Sequence, residues 1–156
     1  MNVEILVVGE LTEDLNWVRK MFRDYAEELQ VDLGVQGFDE ELAALPGKYA
    51  QPSGCLVLVF QGSKPVGCAG LRPLGEGDVE LKRYYISPEA RGLGAGSLLL
   101  ADLIRIAREK GYARMVLDTI PKLKPALALY EKFGFKECEP YWDNPEAGVI
   151  YMELKL

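Results

Sequence analysis

Between residues 79 and 119 the chain reads as a strand, a glycine-rich turn, a helix and a second strand. This unit constrains the fold more than any other stretch. Two neighbouring strands joined through a helix run parallel, because the crossover carries the chain back to the end it started from. The strands are residues 79–86 and 115–119. Leu98, Leu99, Leu103, Ile104, Ile106 and Ala107 form the apolar helix face between them, and Gly111 supplies a stop. The strands upstream, residues 56–60 and 65–73, are joined to each other and to residue 79 by short turns. These turns are Gln61-Gly62-Ser63-Lys64 and Gly75-Glu76-Gly77-Asp78. Short turns make antiparallel neighbours. The expected sheet is therefore mixed: mostly antiparallel, with one central parallel pair.

The remaining patterns complete an α/β order of βααβββαβαββ. Residues 3–8 read as a strand from their β-branched content. Thr12, followed by Glu13 and Asp14, reads as a helix N-cap with acids in the first turn. Leu15, Val18, Met21, Phe22, Tyr25, Ala26 and Leu29 then recur at helical spacing. Residues 38–45 read as a short helix stopped by Pro46-Gly47. Residues 125–133 read as a helix ended by Gly134, and residues 135–141 and 148–154 as strands. There are no repeats and no linker, and 156 residues suit one domain, 1–156.

The turn inside the crossover unit carries Gly92, Gly94 and Gly96 at every second position, after Arg91 and before an apolar helix. Glycine weakens a helix, so its presence there has a reason. Either the turn is very tight or something approaches the backbone closely. A helix start exposes unpartnered N–H groups and a positive partial charge, which makes it an anion site once bulk is removed. Arg91 adds a cation suited to phosphate. The spacing departs from the dinucleotide fingerprint GxGxxG and lacks the GK[ST] ending of a P-loop.

Composition narrows the chemistry. The chain has no histidine, which excludes a Ser-His-Asp triad, a Cys-His dyad and a His-containing zinc site. A general base must be a carboxylate, tyrosine, lysine or water. The formal net charge of −6 argues against broad nucleic-acid binding. Cys55, Cys68 and Cys138 lack metal spacing and read as free thiols in a reducing compartment. No apolar run reaches the length of a membrane span. The expectation is a cytoplasmic protein without metal, nucleic-acid or membrane partners; a homodimer is compatible with the sequence.

The segment "RGLGAG" resembles the acyl-CoA signature of the GNAT acetyltransferase superfamily. The match extends through "ELKRYYISPEARGLGAGSLLL", "GYARMVLDT" and "ALALYEKFGF", and the element order is that of the same fold. The resemblance implies acetyl-CoA as acyl donor and direct transfer to a primary amine of a small molecule or peptide. It implies that Arg91, Gly92, Leu93, Gly94, Ala95, Gly96 and Ser97 hold the pyrophosphate, mostly through backbone N–H groups. It places Tyr85 and Ile86 beside the pantetheine arm, although both side chains equally suit core packing. Glu80 falls where several members carry the base, or else pairs with Lys82 or Arg83. Tyr130 falls where the family carries a tyrosine that protonates or hydrogen-bonds the thiolate, or else packs with Leu127 and Phe133. Many relatives carry an asparagine seven residues before that tyrosine; here the position is Leu123. A silent coenzyme-A-binding module is the alternative reading, and a nucleotide-binding fold the third. For the acceptor side the candidates by location are Tyr25, Phe38, Tyr49, Arg72, Lys82, Tyr141, Trp142, Asp143 and Asn144. The loop "EPYWDNPEAG" is the most suggestive stretch among them.

Overall fold

The computed structural model describes residues 2–156. Its elements are β1 (Val3–Val8), α1 (Thr12–Leu29), α2 (Phe38–Ala43), β2 (Cys55–Gln61), β3 (Lys64–Gly75), β4 (Asp78–Ile86), α3 (Ala95–Glu109), β5 (Arg114–Thr119), α4 (Lys124–Lys132), β6 (Lys136–Glu137) and β7 (Ile150–Lys155). The strands form one sheet in the order β1-β2-β3-β4-β5-β7-β6. Each neighbouring pair is antiparallel except β4 and β5, which run parallel as the crossover unit requires.

Helices cover both faces, and β2 shows why its sequence is apolar without interruption. Leu56 and Leu58 point into the cluster under α1, with Val18, Met21 and Phe22. Val57 and Val59 point into the cluster under α3, with Leu99, Leu103 and Met115. A strand buried on both faces loses the alternation of polar and apolar residues that marks a half-exposed one. Val18 and Phe22 are fully buried, and each such side chain stabilises the docking of α1 by ~1.5–3 kcal/mol.

The element order matches expectation, and the differences lie at boundaries. Thr12 is the first helical residue, not the N-cap. Leu11 occupies that position and makes no side-chain cap, while Glu13 and Asp14 still sit in the first turn. The second helix ends at Ala43 instead of residue 45, because proline disfavours the helical conformation in the residue before it, here Leu45. α3 starts at Ala95, taking Gly96 into its first turn. The strand expected over residues 135–141 shrinks to two paired residues; Pro140 has no N–H to extend the ladder. The last strand starts at Ile150, since Gly148 adopts a left-handed φ of 76°.

Two irregularities of β4 shape the site. Its pairing with β5 covers only Asp78, Val79 and Glu80; beyond Glu80 the strands part. Against β3, Cys68 faces Tyr85 and Gly70 faces Lys82, so β4 carries one extra residue there. Arg83 absorbs it with a φ of 58°. Such a bulge breaks the period-two alternation of side chains. Consecutive Lys82 and Arg83 therefore reach the same acceptor, the Oε1 of Gln36, at 2.7 and 3.1 Å.

Candidate active site

Where β4 leaves β5, a cleft of about 530 Å³ opens between the sheet, α1, α4 and the start of α3. Tyr85, Ile86, Arg91, Gly92 and Gly96 border it, together with Tyr84, Leu123 and Pro125. Of the other expected residues, Leu93 points to solvent and Ala95 is buried in the core. Leu93, Gly94, Ala95 and Ser97 are not among its lining residues, so what they offer comes from the main chain. Leu98 is the first residue of α3 whose amide bonds backward, to the Gly94 carbonyl at 3.1 Å. Among the described residues, the amides of residues 92–97 have no backbone acceptor.

The three glycines have two different causes. Gly92 and Gly94 adopt φ of 77° and 84°, and a Cβ on either would meet nothing within 4 Å. The turn demands left-handed backbone there and leaves open space above it. Gly96 is an ordinary helical residue crowded by the protein itself. A Cβ on it would lie 2.9 Å from Tyr84 Oη and 3.3 Å from Leu129 Cδ2, and Tyr84 donates a 2.7 Å hydrogen bond to its carbonyl. Arg91 is fixed at the mouth of the cleft. Its Nε donates to the Ile86 carbonyl at 2.9 Å, its Nη2 pairs with Glu28, and its guanidinium sits 5.8 Å from the Tyr85 ring centre.

A second, smaller cavity of about 50 Å³ lies further in. Tyr25, Leu29, Tyr84, Leu123 and Ala126 border both spaces. Tyr130 borders the inner one. Its ring packs against Tyr84 and Phe135, with centroids 5.7 and 5.6 Å away. Packing and chemical availability thus coexist, because its hydroxyl has no hydrogen-bond partner among the described residues. Burial pushes its pKa well above the usual tyrosine value, so the phenol keeps its proton at neutral pH. Leu123 contributes an apolar wall to both spaces.

Glu80 lies apart from this arrangement. It is 1% exposed and borders neither space. Oε1 accepts from Arg72 Nε at 2.8 Å, Oε2 accepts from Tyr141 Oη at 2.6 Å, and Lys82 Nζ stands 3.8 Å from Oε2. The structure thus brings Glu80 together with Arg72, Lys82 and Tyr141, and Tyr130 with the residues of the inner cavity. Burial, then the Glu80 charge, pushes the Tyr141 pKa far above its ordinary value. Burial pushes the Lys82 pKa down, with Glu80 opposing.

Two carboxylates border the inner cavity: Glu146, exposed on the loop before β7, and Asp118, near the end of β5. Asp118 Oδ2 accepts from Trp142 Nε1 at 2.6 Å and Asn144 Nδ2 at 3.1 Å. Oδ1 has no partner among the described residues. The loop between β6 and β7 is pinned in turn by Tyr151, which donates to the Trp142 carbonyl and accepts from the Asn144 amide. Of the expected acceptor-side residues, Tyr25, Lys82 and Asn144 border the cavity, while the rest do not. Phe38 lies under Arg83, with its ring centre 5.1 Å from the guanidinium carbon, Tyr49 bonds Glu41, and Asp143 is exposed. Sequence reading missed Asp118; the available signal was an acid closing an otherwise apolar strand.

A cleft at a strand divergence, capped by a glycine-rich helix start, is the arrangement that the resemblance to the acetyltransferase superfamily implies. Comparison with known proteins agrees. Residues 17–135 match the Acetyltransferase (GNAT) family. The uncharacterized N-acetyltransferase C1271.07c of Schizosaccharomyces pombe is 40% identical over 157 residues, covering 99% of this chain and 96% of that protein. A crystal structure of an acetyltransferase from Streptococcus agalactiae superposes with a TM-score of 0.79 at 20% identity, covering 99% of this chain and 98% of that one. PaiA N-acetyltransferase from Thermoplasma acidophilum, solved in complex with coenzyme A, superposes at 0.73 with 20% identity over 100% of both chains. The chain belongs to the GNAT acetyltransferase family and is an acyltransferase. No helix among the described residues is long and apolar enough to cross a membrane.

Proposed function

We propose that this protein transfers an acetyl group from acetyl-CoA directly to a primary amine. One observation carries the reading: Tyr130, whose hydroxyl is unbonded, and Asp118, whose Oδ1 is unbonded, border one cavity, and that cavity shares a wall with the outer cleft. A silent coenzyme-binding module would need neither group.

The outer cleft fits coenzyme A. The amides of residues 92–97 are available to a pyrophosphate, the space above Gly92 and Gly94 is open, and Arg91 supplies a cation at the mouth. Tyr85 and Ile86 lie along the wall where a pantetheine arm would run. Acetyl-CoA supplies an acyl group already activated as a thioester. The chain's own residues then have two proton tasks. An alkyl amine of pKa ~10.4 is neutral in only about one molecule in a few thousand at pH 7. Asp118 removes the ammonium proton at Oδ1, with Trp142 and Asn144 holding the carboxylate in place. The neutral nitrogen bonds to the acetyl carbon, the carbon–sulfur bond breaks, Tyr130 gives its proton to the departing sulfur, and the nitrogen's remaining extra proton passes to the Tyr130 oxygen, restoring the phenol and leaving a neutral amide.

A second reading keeps the base at Glu80, as the family resemblance implies, with its proton arriving through Tyr141. Glu80 has its oxygens engaged by Arg72 and Tyr141 and borders neither space, whereas Asp118 borders the cavity and has one oxygen without a partner. This favours Asp118. The test is thiol release from acetyl-CoA across a panel of amines, followed by Asp118→Asn, Glu80→Gln and Tyr130→Phe on a working substrate. Asp118→Asn should lower kcat by ~100-fold or more, the usual scale of general base catalysis. A larger loss in Glu80→Gln would return the base to Glu80. Tight acetyl-CoA binding without turnover of any amine would support the silent module.

A further inference from the structure

The inner cavity contains a charge that the transfer chemistry does not use. Three cations stand together on β3 and β4: Arg72, Lys82 and Arg83. Two carboxylates serve them. Arg83 is held by both oxygens of Glu41, at 2.9 Å from Nη2 and 3.0 Å from Nε. Arg72 takes Glu80 at 2.8 Å. Lys82 is left with a neutral partner, Gln36 Oε1 at 2.7 Å, and a distant share of Glu80 at 3.8 Å. Its side chain is only 4% exposed, and it borders the cavity. A buried cation without a counter-ion of its own is costly, and an ammonium offers three N–H donors. Lys82 therefore has no carboxylate within hydrogen-bond distance and keeps donors to spare, although the Asp118 charge also favours its ammonium form. Thr119 borders the same cavity, and its Oγ1 is buried with no hydrogen-bond partner.

We propose that the acceptor is a free amino acid, whose α-carboxylate is taken by Lys82 while its α-ammonium meets Asp118. This deepens the transferase reading above and rests on it for the placement of the amine. The cavity is bordered by a cation with no hydrogen-bonded carboxylate and by a carboxylate with one unbonded oxygen, which is the complement of a molecule bearing both charges close together. Arg83 is not the carboxylate partner, because Glu41 already occupies its guanidinium. The small volume, about 50 Å³, suits the compact head of an amino acid with its side chain directed outward. A peptide N-terminus fits less well, because an amide stands where the carboxylate would be and cannot neutralise Lys82.

The test compares each common amino acid with its own primary amide. Binding is measured by calorimetry on protein loaded with coenzyme A, and turnover by thiol release from acetyl-CoA. The amide amine is the less basic of the two, so at neutral pH intrinsic reactivity favours the amide and works against the proposal. For at least one side chain the free acid should bind tenfold or more tightly and show a tenfold or greater kcat/KM. Lys82→Gln should erase that advantage chiefly through KM, whereas Asp118→Asn should lower kcat for acid and amide alike. If Lys82→Gln no longer binds acetyl-CoA, the wild-type acid-to-amide ratio decides alone. Amides equal to or better than acids across the panel, in binding and in turnover, would overturn the proposal. Preferential binding of acids with no turnover of any amine would overturn the transferase reading and leave the carboxylate site standing. No binding and no turnover of any acid would overturn the proposal and leave the transferase reading to the wider amine panel.

Discussion

The outer cleft and the inner cavity are built from different materials. The polar groups that the cleft offers come largely from backbone: consecutive amides at the start of α3, two left-handed glycines, and a strand that has parted from its neighbour. The cavity is made of side chains that converge from distant elements. Gln36 comes from the segment before α2, Lys82 and Arg83 from the bulge in β4, Asp118 from β5, and Asn144 from the loop before β7. A backbone site tolerates change in most neighbouring side chains. A convergent site changes character with any one of its members. The first can serve a shared acyl donor, and the second can define a particular acceptor.

Substitutions should separate the two regions, and the largest effect belongs to the cavity. Asp118→Asn keeps the shape and removes the basic oxygen. The expected outcome is a ~100-fold or greater fall in kcat, with the calorimetric affinity for acetyl-CoA within twofold of wild type. A comparable loss of acetyl-CoA affinity would break the division between cleft and cavity. Tyr130→Phe comes next. It removes a hydroxyl with no protein partner, so stability should hold, while kcat falls ~10- to 100-fold because the thiolate leaves without its proton. Equal kcat in the two proteins would assign Tyr130 to packing against Tyr84 and Phe135.

The same division explains what could be read from the chain alone. Backbone sites follow from local spacing. The crossover unit and the glycines of "RGLGAG" lie within a few tens of residues, so the parallel strand pair was legible, while the gap beside it was implied by the family resemblance. The glycines were legible only as a group. Their spacing could not show that Gly96 is crowded by Tyr84 while Gly92 and Gly94 are required by φ. Asp118 was hidden because its partners, Trp142 and Asn144, lie 24 and 26 positions away and meet it only once the sheet forms. Lys82 was visible as a charge on a strand, and a charge there ordinarily faces solvent. Its burial depends on the bulge at Arg83, which no local motif announces.

A smaller effect tests the cleft directly. Gly94→Ala would mix two causes, since a left-handed Cβ costs ~1–2 kcal/mol by itself. Asparagine tolerates that conformation better and still projects into the open space. Gly94→Asn should therefore unfold close to the wild-type temperature and bind acetyl-CoA roughly tenfold more weakly, about 1.4 kcal/mol. Unchanged affinity would reduce this glycine to a turn requirement.

The smallest expected effect is a flat one, and its sign follows from burial. Desolvation raises the pKa of Tyr130 well above the ordinary tyrosine value of 10.0. The general acid is its protonated form, which is lost only as pH climbs through that raised pKa. The acceptor amine gains reactivity over the same range as it loses its proton. With acceptor saturating, kcat should therefore rise with pH and level off, with no descending limb up to about pH 10. Saturation matters because Lys82, with its lowered pKa, sheds its charge earlier than an exposed lysine would. That loss should appear in KM and leave kcat level. A fall in kcat between pH 8 and 9, absent in Tyr130→Phe, would mean that the phenol ionises in the working enzyme. The inner cavity would then be wetter around its hydroxyl than the packing of Tyr84, Tyr130 and Phe135 implies, and the sheltered proton would belong to another group.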